Sequence, residues 1–88
     1  MLNGDYRKQF PLGKVYKQIF NNWFYDLKTN RGRRIEDTVF VLLETELNYY
    51  RETEINEICQ TNGKVLLQDG DVMWIYAIRP DTISLVEG

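Results

Sequence analysis

The residue types that most often carry catalysis are scarce in this chain of 88 residues. It has no histidine, a single cysteine (Cys59) and a single serine (Ser84), so a nucleophile would lack its usual base. Glu54 and Glu57 stand close to Cys59 in sequence and disfavour a thiolate, so we expect Cys59 to be a buried structural residue. The sequence therefore predicts a protein that is not an enzyme, has no catalytic residues and needs no cofactor.

Asp69 and Asp71 flank Gly70 and come closest to a metal-binding pair. A calcium loop would continue with further spaced oxygen ligands and a closing glutamate, and these do not follow in the sequence. Asp-Gly is also a strong hairpin signal, because both residues tolerate positive φ. We therefore expect a turn at this point and no metal site.

The densest cluster of positive charge is the segment Arg31-Gly-Arg33-Arg34. Guanidinium groups on a short glycine-containing loop can donate bidentate hydrogen bonds to phosphates or carboxylates. An equally simple interpretation pairs Arg33 and Arg34 with the neighbouring Glu36 and Asp37. The sequence leaves both interpretations open.

The net charge of -2 is unevenly distributed along the chain. Residues 1–34 carry eight basic side chains against two acidic ones, a balance of +6, whereas residues 35–88 carry three against eleven, a balance of −8. Seven of the twelve aromatic residues also lie in the basic part. This composition is typical of a surface that binds phosphates and stacks bases, but it also fits an aromatic core beneath solvated charges. The opposite charges of the two parts could also attract each other between copies.

The candidate binding residues lie in this basic third of the chain. They are the basic and aromatic residues expected to contact a partner's phosphates, carboxylates or bases: Lys14, Lys17, Tyr25, Lys28, Arg31, Arg33 and Arg34.

The segment 12–28 is predicted to be an amphipathic helix, preceded by an N-terminal arm over residues 1–11. Its apolar residues recur at offsets of three and four: Leu12, Val15, Tyr16, Ile19, Phe20, Trp23 and Leu27. The opposite face of such a helix would carry Lys14, Lys17, Tyr25 and Lys28.

The segment 35–51 fits either a helix or a strand, and we favour a strand. Residues 44–49 alternate strictly, with Thr45, Leu47 and Tyr49 on one side, and the segment is rich in β-branched and aromatic residues. Beyond it, turn signals at Asn62-Gly63, Asp69-Gly70 and Pro80-Asp81 predict short antiparallel strands over 64–68, 71–79 and 82–86. The segment 52–61 is left open between helix and strand.

Two architectures follow for a single domain over 1–88. The first is an α+β fold in which helix 12–28 packs on a C-terminal antiparallel β-meander over 35–88, which can curl into a small barrel; its order of elements is similar to Sm-like and SH3-like barrels. The second is a helical bundle (12–28, 35–50, 53–61) with a C-terminal β-hairpin, similar in order to a winged helix. Its recognition helix 53–61 would carry Glu54 and Glu57 and no basic residue, which disfavours binding of this helix to duplex DNA.

The favoured function is a small protein-interaction module of the adaptor or inhibitor type, which binds a larger protein through charged surfaces. The alternative is a nucleic-acid-binding protein that uses the basic, aromatic-rich first third on single strands or RNA. Charge-driven homo-oligomers are a third hypothesis. A lone cysteine, the lack of an apolar leader and the lack of a long apolar run predict a cytoplasmic protein without a membrane partner.

Overall fold

A computed structural model of the chain describes residues 4–19, 22–26, 31–35, 38–51, 53–54 and 57–86. In these ranges, seven strands form one antiparallel sheet, curled into a half-barrel, and no α-helix is present. The strands are β1 (Val15–Gln18), β2 (Asn22–Asp26), β3 (Gly32–Ile35), β4 (Val39–Arg51), β5 (Glu57–Leu67), β6 (Val72–Ile75) and β7 (Ile83–Leu85). A 3-10 helix covers Arg7–Gln9. The sheet order is β3-β2-β6-β5-β4-β1-β7.

The predicted helix over 12–28 is wrong, and so is the α+β fold built on it. Strands β1 and β2 occupy this segment. Burial alternates along β1, where Val15 and Lys17 are exposed while Tyr16 and Gln18 are buried. Because apolar residues occur on both faces of the strand, their spacing imitates a helical stripe. The positions 20–21 and 27–28 of the predicted helix lie outside the described residues.

The alternative helical bundle with a winged-helix hairpin is also wrong, because β4 and β5 cover most of the second and third predicted helices. The strand favoured over 35–51 is confirmed for Val39–Arg51, which form β4, whereas Ile35 ends β3 and positions 36–37 lie outside the described residues. The register of β4 against β5 shifts between Leu42 and Glu44, which marks a β-bulge. Beyond the bulge, Glu44 and Glu46 are exposed and Thr45 and Leu47 are partly buried, as the alternation predicts.

The turn predicted at Asp69-Gly70 is confirmed. Gly70 has a φ of +92°, and the Asp71 N–H donates a hydrogen bond of 3.0 Å to the Asp69 carboxylate. The turn signal at Asn62-Gly63 is wrong, because both residues lie inside β5. A Cβ at position 63 would lie 2.8 Å from Leu42 Cδ1, so glycine allows close packing between β5 and β4 rather than a turn.

The predicted meander is wrong in its connections. β6 pairs with β2 and not with β7, while β7 pairs with β1, which also pairs with β4. The N-terminal third therefore supplies strands on both sides of the β4–β5–β6 unit instead of a helix packed against it.

The core fills the concave side of the sheet, which we call the inner face. Four aromatic rings form a chain across it: Phe10 against Tyr16 at 5.8 Å between centroids, Tyr16 against Phe40 at 6.4 Å, and Phe40 against Phe24 at 6.0 Å. The Tyr16 hydroxyl donates to the Pro11 carbonyl at 2.7 Å. Aliphatic residues complete the cluster: Leu42, Val65, Leu67, Met73, Ile75, Ile78 and Ile83.

The described part of the N-terminal arm is tied to β5. The Tyr6 N–H donates to Thr61 Oγ1 at 2.8 Å, and the Thr61 hydroxyl donates to the Gly4 carbonyl at 2.6 Å. A Cβ at Gly4 would overlap the Cys59 carbonyl, so the arm approaches the strand as closely as a glycine permits. Together with the buried ring of Phe10, these contacts make residues 4–10 part of the fold.

Candidate interaction surfaces

The basic residues predicted to form one binding surface are divided between two ends of the sheet. Lys14 and Lys17 are exposed on or just before β1, next to the edge strand β7. Arg31 is exposed just before the opposite edge strand β3. With four strands between β1 and β3, the two groups are about 24 Å apart along the sheet. The single basic helix face that the sequence predicts does not exist.

Arg33 and Arg34 lie in β3, where they are the register partners of Phe24 and Trp23. Lys28 lies outside the described residues, as do Glu36 and Asp37, which the sequence offers as ion-pair partners for these arginines. Residues 32–34 therefore lie in an edge strand, with Arg31 just before it, rather than in the loop that the glycine indicates.

Tyr25 is the one predicted aromatic contact residue, and the sheet gives it aromatic neighbours. On β2 it is the direct cross-strand partner of Trp74 on β6, and its ring lies 4.7 Å from that of Tyr76 in an edge-to-face arrangement. Lys64 on β5 is the partner of Trp74 on the other side. We call Tyr25, Trp74 and Tyr76 the aromatic patch. It lies on the convex side of the sheet, the outer face, since the alternate residues Phe24, Met73 and Ile75 are in the core.

Sequence reasoning missed Trp74, Tyr76 and Lys64. A signal was present: Trp74 and Tyr76 are two residues apart in a predicted strand, which places them on the same face. Residues 72–78 are all apolar, and such a run is typical of a central strand that is covered on both faces. That pattern does not distinguish a covered face from an apolar face that binds a partner.

A second region of the outer face is aliphatic. Val15, Val41, Leu66 and Val72 are successive register partners across β1, β4, β5 and β6, so they form one row on four neighbouring strands. The Val86 N–H donates to the Val15 carbonyl at 2.9 Å, which brings another valine to the end of the row. A shallow groove of about 190 Å³ follows this row; we call it the aliphatic groove, and its lining is Val15, Val39, Phe40, Val41, Leu66, Leu67 and Gln68.

The far ends of β4 and β5 form an acidic ribbon, which comprises residues 44–51 and 57–62. Glu44, Glu46 and Glu57 are exposed on it, together with the rings of Tyr49 and Tyr50. A cavity of about 280 Å³ opens where the ribbon meets the N-terminal arm, lined by Gly4, Tyr6, Tyr50, Ile58, Cys59, Gln60, Thr61, Ala77, Ile78 and Arg79. Cys59 is buried as predicted, with 4% of its surface exposed.

Asn62 joins the acidic ribbon to the end of β6. Its side-chain oxygen accepts hydrogen bonds from the Ala77 N–H and from Gln60 Nε2, both at 3.0 Å, and its Nδ2 donates to Glu46 at 3.3 Å. Ala77 has a φ of +57°, the left-handed region that costs an L-residue about 1–2 kcal/mol. The Asn62 amide therefore stabilises the bend that ends β6 just after the aromatic patch.

Charge pairing at the surface is local. Asp5 accepts two side-chain hydrogen bonds of 3.0 Å from Arg7, and this pairing holds the pKa of the Asp5 carboxyl below its usual range. Arg79 pairs with Asp81 at 3.2 Å across the turn before β7. Both pairs lie outside the aliphatic groove and the aromatic patch. Neither pair therefore offsets the charge of the basic residues next to those two sites.

Within the described ranges, no helix is long and apolar enough to cross a membrane. The chain matches no protein-family model, and no curated protein and no solved structure is significantly similar to it.

Proposed function

We propose that this protein is a non-enzymatic protein-interaction module, an adaptor or inhibitor that binds a larger cytoplasmic protein through the aliphatic groove. One observation carries the proposal: the outer face of the sheet is apolar along the row from Val15 to Val72. An antiparallel sheet with one face on its core normally presents polar residues on the other face. Contiguous apolar surface that folding does not need is typical of a protein-binding site.

The chemistry of the groove indicates the kind of partner. Its lining is apolar except for Gln68, so the partner would insert apolar side chains, and each of these gains about 25 cal/mol per Å² of apolar surface buried. Lys17, the register partner of Val39, is exposed at one end of the groove, and Lys14 lies before Val15 at the other. A partner with carboxylates around an apolar strip would complement both, and such charges mainly accelerate association.

The test compares two variants of the full tagged chain in affinity purification from its native host. In the double variant Val15→Ser/Val41→Ser, the groove loses two apolar side chains without gaining charge. The matched control is Tyr49→Ser, which removes an exposed ring from the far end of β4. We expect one stoichiometric protein partner with the wild type and the control, and at least about tenfold less of it with the double variant. Thermal unfolding of each variant verifies that the fold is retained.

The proposal is overturned if the wild-type chain retains no stoichiometric protein. It is equally overturned if the folded double variant retains the same partner as well as the wild type does.

A further inference from the structure

The aromatic patch presents rings that the sheet holds in place. Tyr25 and Trp74 are half-buried, and Tyr76 is 40% exposed. On β3 the residue opposite Tyr25 is Gly32, which has no side chain to cover the ring. Rings that are fixed by neighbouring strands lose little conformational freedom when a ligand stacks on them.

Basic side chains stand on both sides of these rings. Lys64, Trp74, Tyr25 and Gly32 are successive register partners on β5, β6, β2 and β3, and exposed Arg31 precedes Gly32. Three strand spacings of about 4.8 Å separate the backbones of Lys64 and Gly32, roughly 14 Å, and the backbones of Trp74 and Tyr25 lie between them.

The described charges nearest the patch differ in their surroundings. On the β5 side, Glu44 is the register partner of Lys64 and offsets part of its charge. On the other side, Arg31 precedes the edge strand β3 and is exposed to solvent. An anionic ligand would therefore lie towards the β3 edge.

We propose that the aromatic patch binds single-stranded nucleic acid, with bases stacked on Tyr76, Tyr25 and Trp74 and phosphates close to Arg31 and Lys64. The ligand must combine flat apolar faces with regularly spaced negative charges, which is the chemistry of an unpaired strand. A duplex hides its base faces in its own stack, so the patch discriminates against it.

The patch and the aliphatic groove are separate parts of the outer face. Val72 ends the aliphatic row on β6, and Trp74 follows two residues later on the same strand. The patch therefore adjoins the groove and consists of different residues. The two sites are tested with different variants, so each proposal can fail alone.

The test is a fluorescence-anisotropy titration of a labelled oligothymidylate, about 12 nucleotides long to match typical single-strand sites, at low and moderate salt. Tyr76→Ala removes the most exposed ring of the patch, and Tyr49→Ala removes an exposed ring from the acidic ribbon as the control. We expect Tyr76→Ala to weaken binding at least about fivefold, since one base stack contributes about 1–3 kcal/mol. Tyr49→Ala is expected to bind as the wild type does.

A second pair of variants tests the phosphate contacts. Arg31→Ala should weaken binding and reduce its salt dependence, whereas Arg51→Ala, at an exposed position at the far end of β4, should change neither. The proposal is overturned if the wild type does not bind at low salt, or if a duplex of equal length binds as tightly. It is also overturned if Arg31→Ala and the folded Tyr76→Ala variant each bind no more weakly than their controls.

Discussion

The inner and outer faces of this sheet are made by alternate residues of the same strands, yet only the inner face is buried in the hydrophobic core. On the inner face, Phe24, Phe40 and Leu42 are completely or almost completely buried in one cluster. On the outer face, Val41 and Leu43 flank Leu42 and remain partly exposed, and no described element packs over them. Both faces carry apolar residues, and the outer face also carries the exposed Glu44 and Glu46. Our proposal assigns the apolar residues of the aliphatic groove to partner binding rather than to stability, and mutations distinguish the two roles.

The largest expected difference between the faces is between two adjacent leucines. Leu42→Ala should destabilise the protein by about 2–5 kcal/mol, because it opens a cavity in the closed core. Leu43→Ala, at the bulge one residue along, should cost less, about 1 kcal/mol, because Leu43 is only partly buried. Urea unfolding of the two variants measures the contrast. Equal losses of stability would mean that the outer face is a second core, and the proposed binding role of the groove would lose its support.

Asn62 is an exception to the contrast, because it belongs to the outer side and is nevertheless buried. Asn62→Ala would leave the Ala77 N–H without its acceptor at a bend with positive φ, so we expect a loss of about 1–3 kcal/mol. The exposed Asn48 on β4 provides the control, and Asn48→Ala should stay within about 0.5 kcal/mol of the wild type. Chemical denaturation monitored by fluorescence distinguishes the two. If Asn62→Ala loses no more stability than Asn48→Ala does, the Asn62 amide does not stabilise the bend that ends β6.

The pH dependence of stability tests whether the Tyr16 hydroxyl is buried in the inner face. Burial raises the pKa of the hydroxyl above the ordinary tyrosine value, so its contribution to stability is complete below the unfolded pKa of about 10. That contribution is lost as the pH rises from there through the folded pKa. Tyr16→Phe removes the hydrogen bond to Pro11 and should cost about 1 kcal/mol at neutral pH, with a shallower loss of stability in alkali. The measurement is the denaturation midpoint of the wild type and of Tyr16→Phe from neutral to alkaline pH. A parallel decline of the two midpoints would contradict the expectation.

The smallest effect is expected at Asp5 and Arg7, which lie on neither face. Their pairing lowers the pKa of the Asp5 carboxyl, so its contribution is present above the unfolded pKa and is lost as the pH falls through the folded value. Arg7→Gln should raise the pKa of Asp5 towards its ordinary value with hardly any change in melting temperature, because the pair is exposed to solvent. An NMR titration of the Asp5 carboxyl measures the shift. An unchanged pKa in the variant would show that Arg7 is not its cause.

The parts of the fold that were predictable depend on local chemistry. The strand β4 follows from the strict alternation of residues 44–49, and the β5–β6 hairpin follows from Asp69-Gly70. In both cases the residues that decide the structure are neighbours in sequence. The helix over 12–28 was a wrong prediction because its segment has apolar residues on both sides of two strands. Its content of Val, Tyr, Phe and Trp was a β signal that the helical spacing outweighed.

The candidate sites were less predictable, because each is assembled from strands that are distant in sequence. Tyr25 was chosen from its basic surroundings, but its neighbours are Trp74 on β6 and Tyr76 just after β6, about fifty residues later. The aliphatic groove combines residues from β1, β4 and β5, and nothing local to Val15 indicates that Val41 and Leu66 lie beside it.

The sequence alone determined the charge asymmetry, the scarcity of catalytic residue types, the strand alternation of residues 44–49 and the turn at Asp69-Gly70. Only the tertiary structure decided that Lys14 and Lys17 lie at one end of the sheet and Arg31 at the other, so that the basic third of the chain is not one surface. The physical reason is that strand pairing is non-local: β1 and β2 have apolar residues on both faces and could pair with several strands. Their places were decided by burial of Tyr16 and Phe24 against Phe40, contacts that no short window of sequence contains.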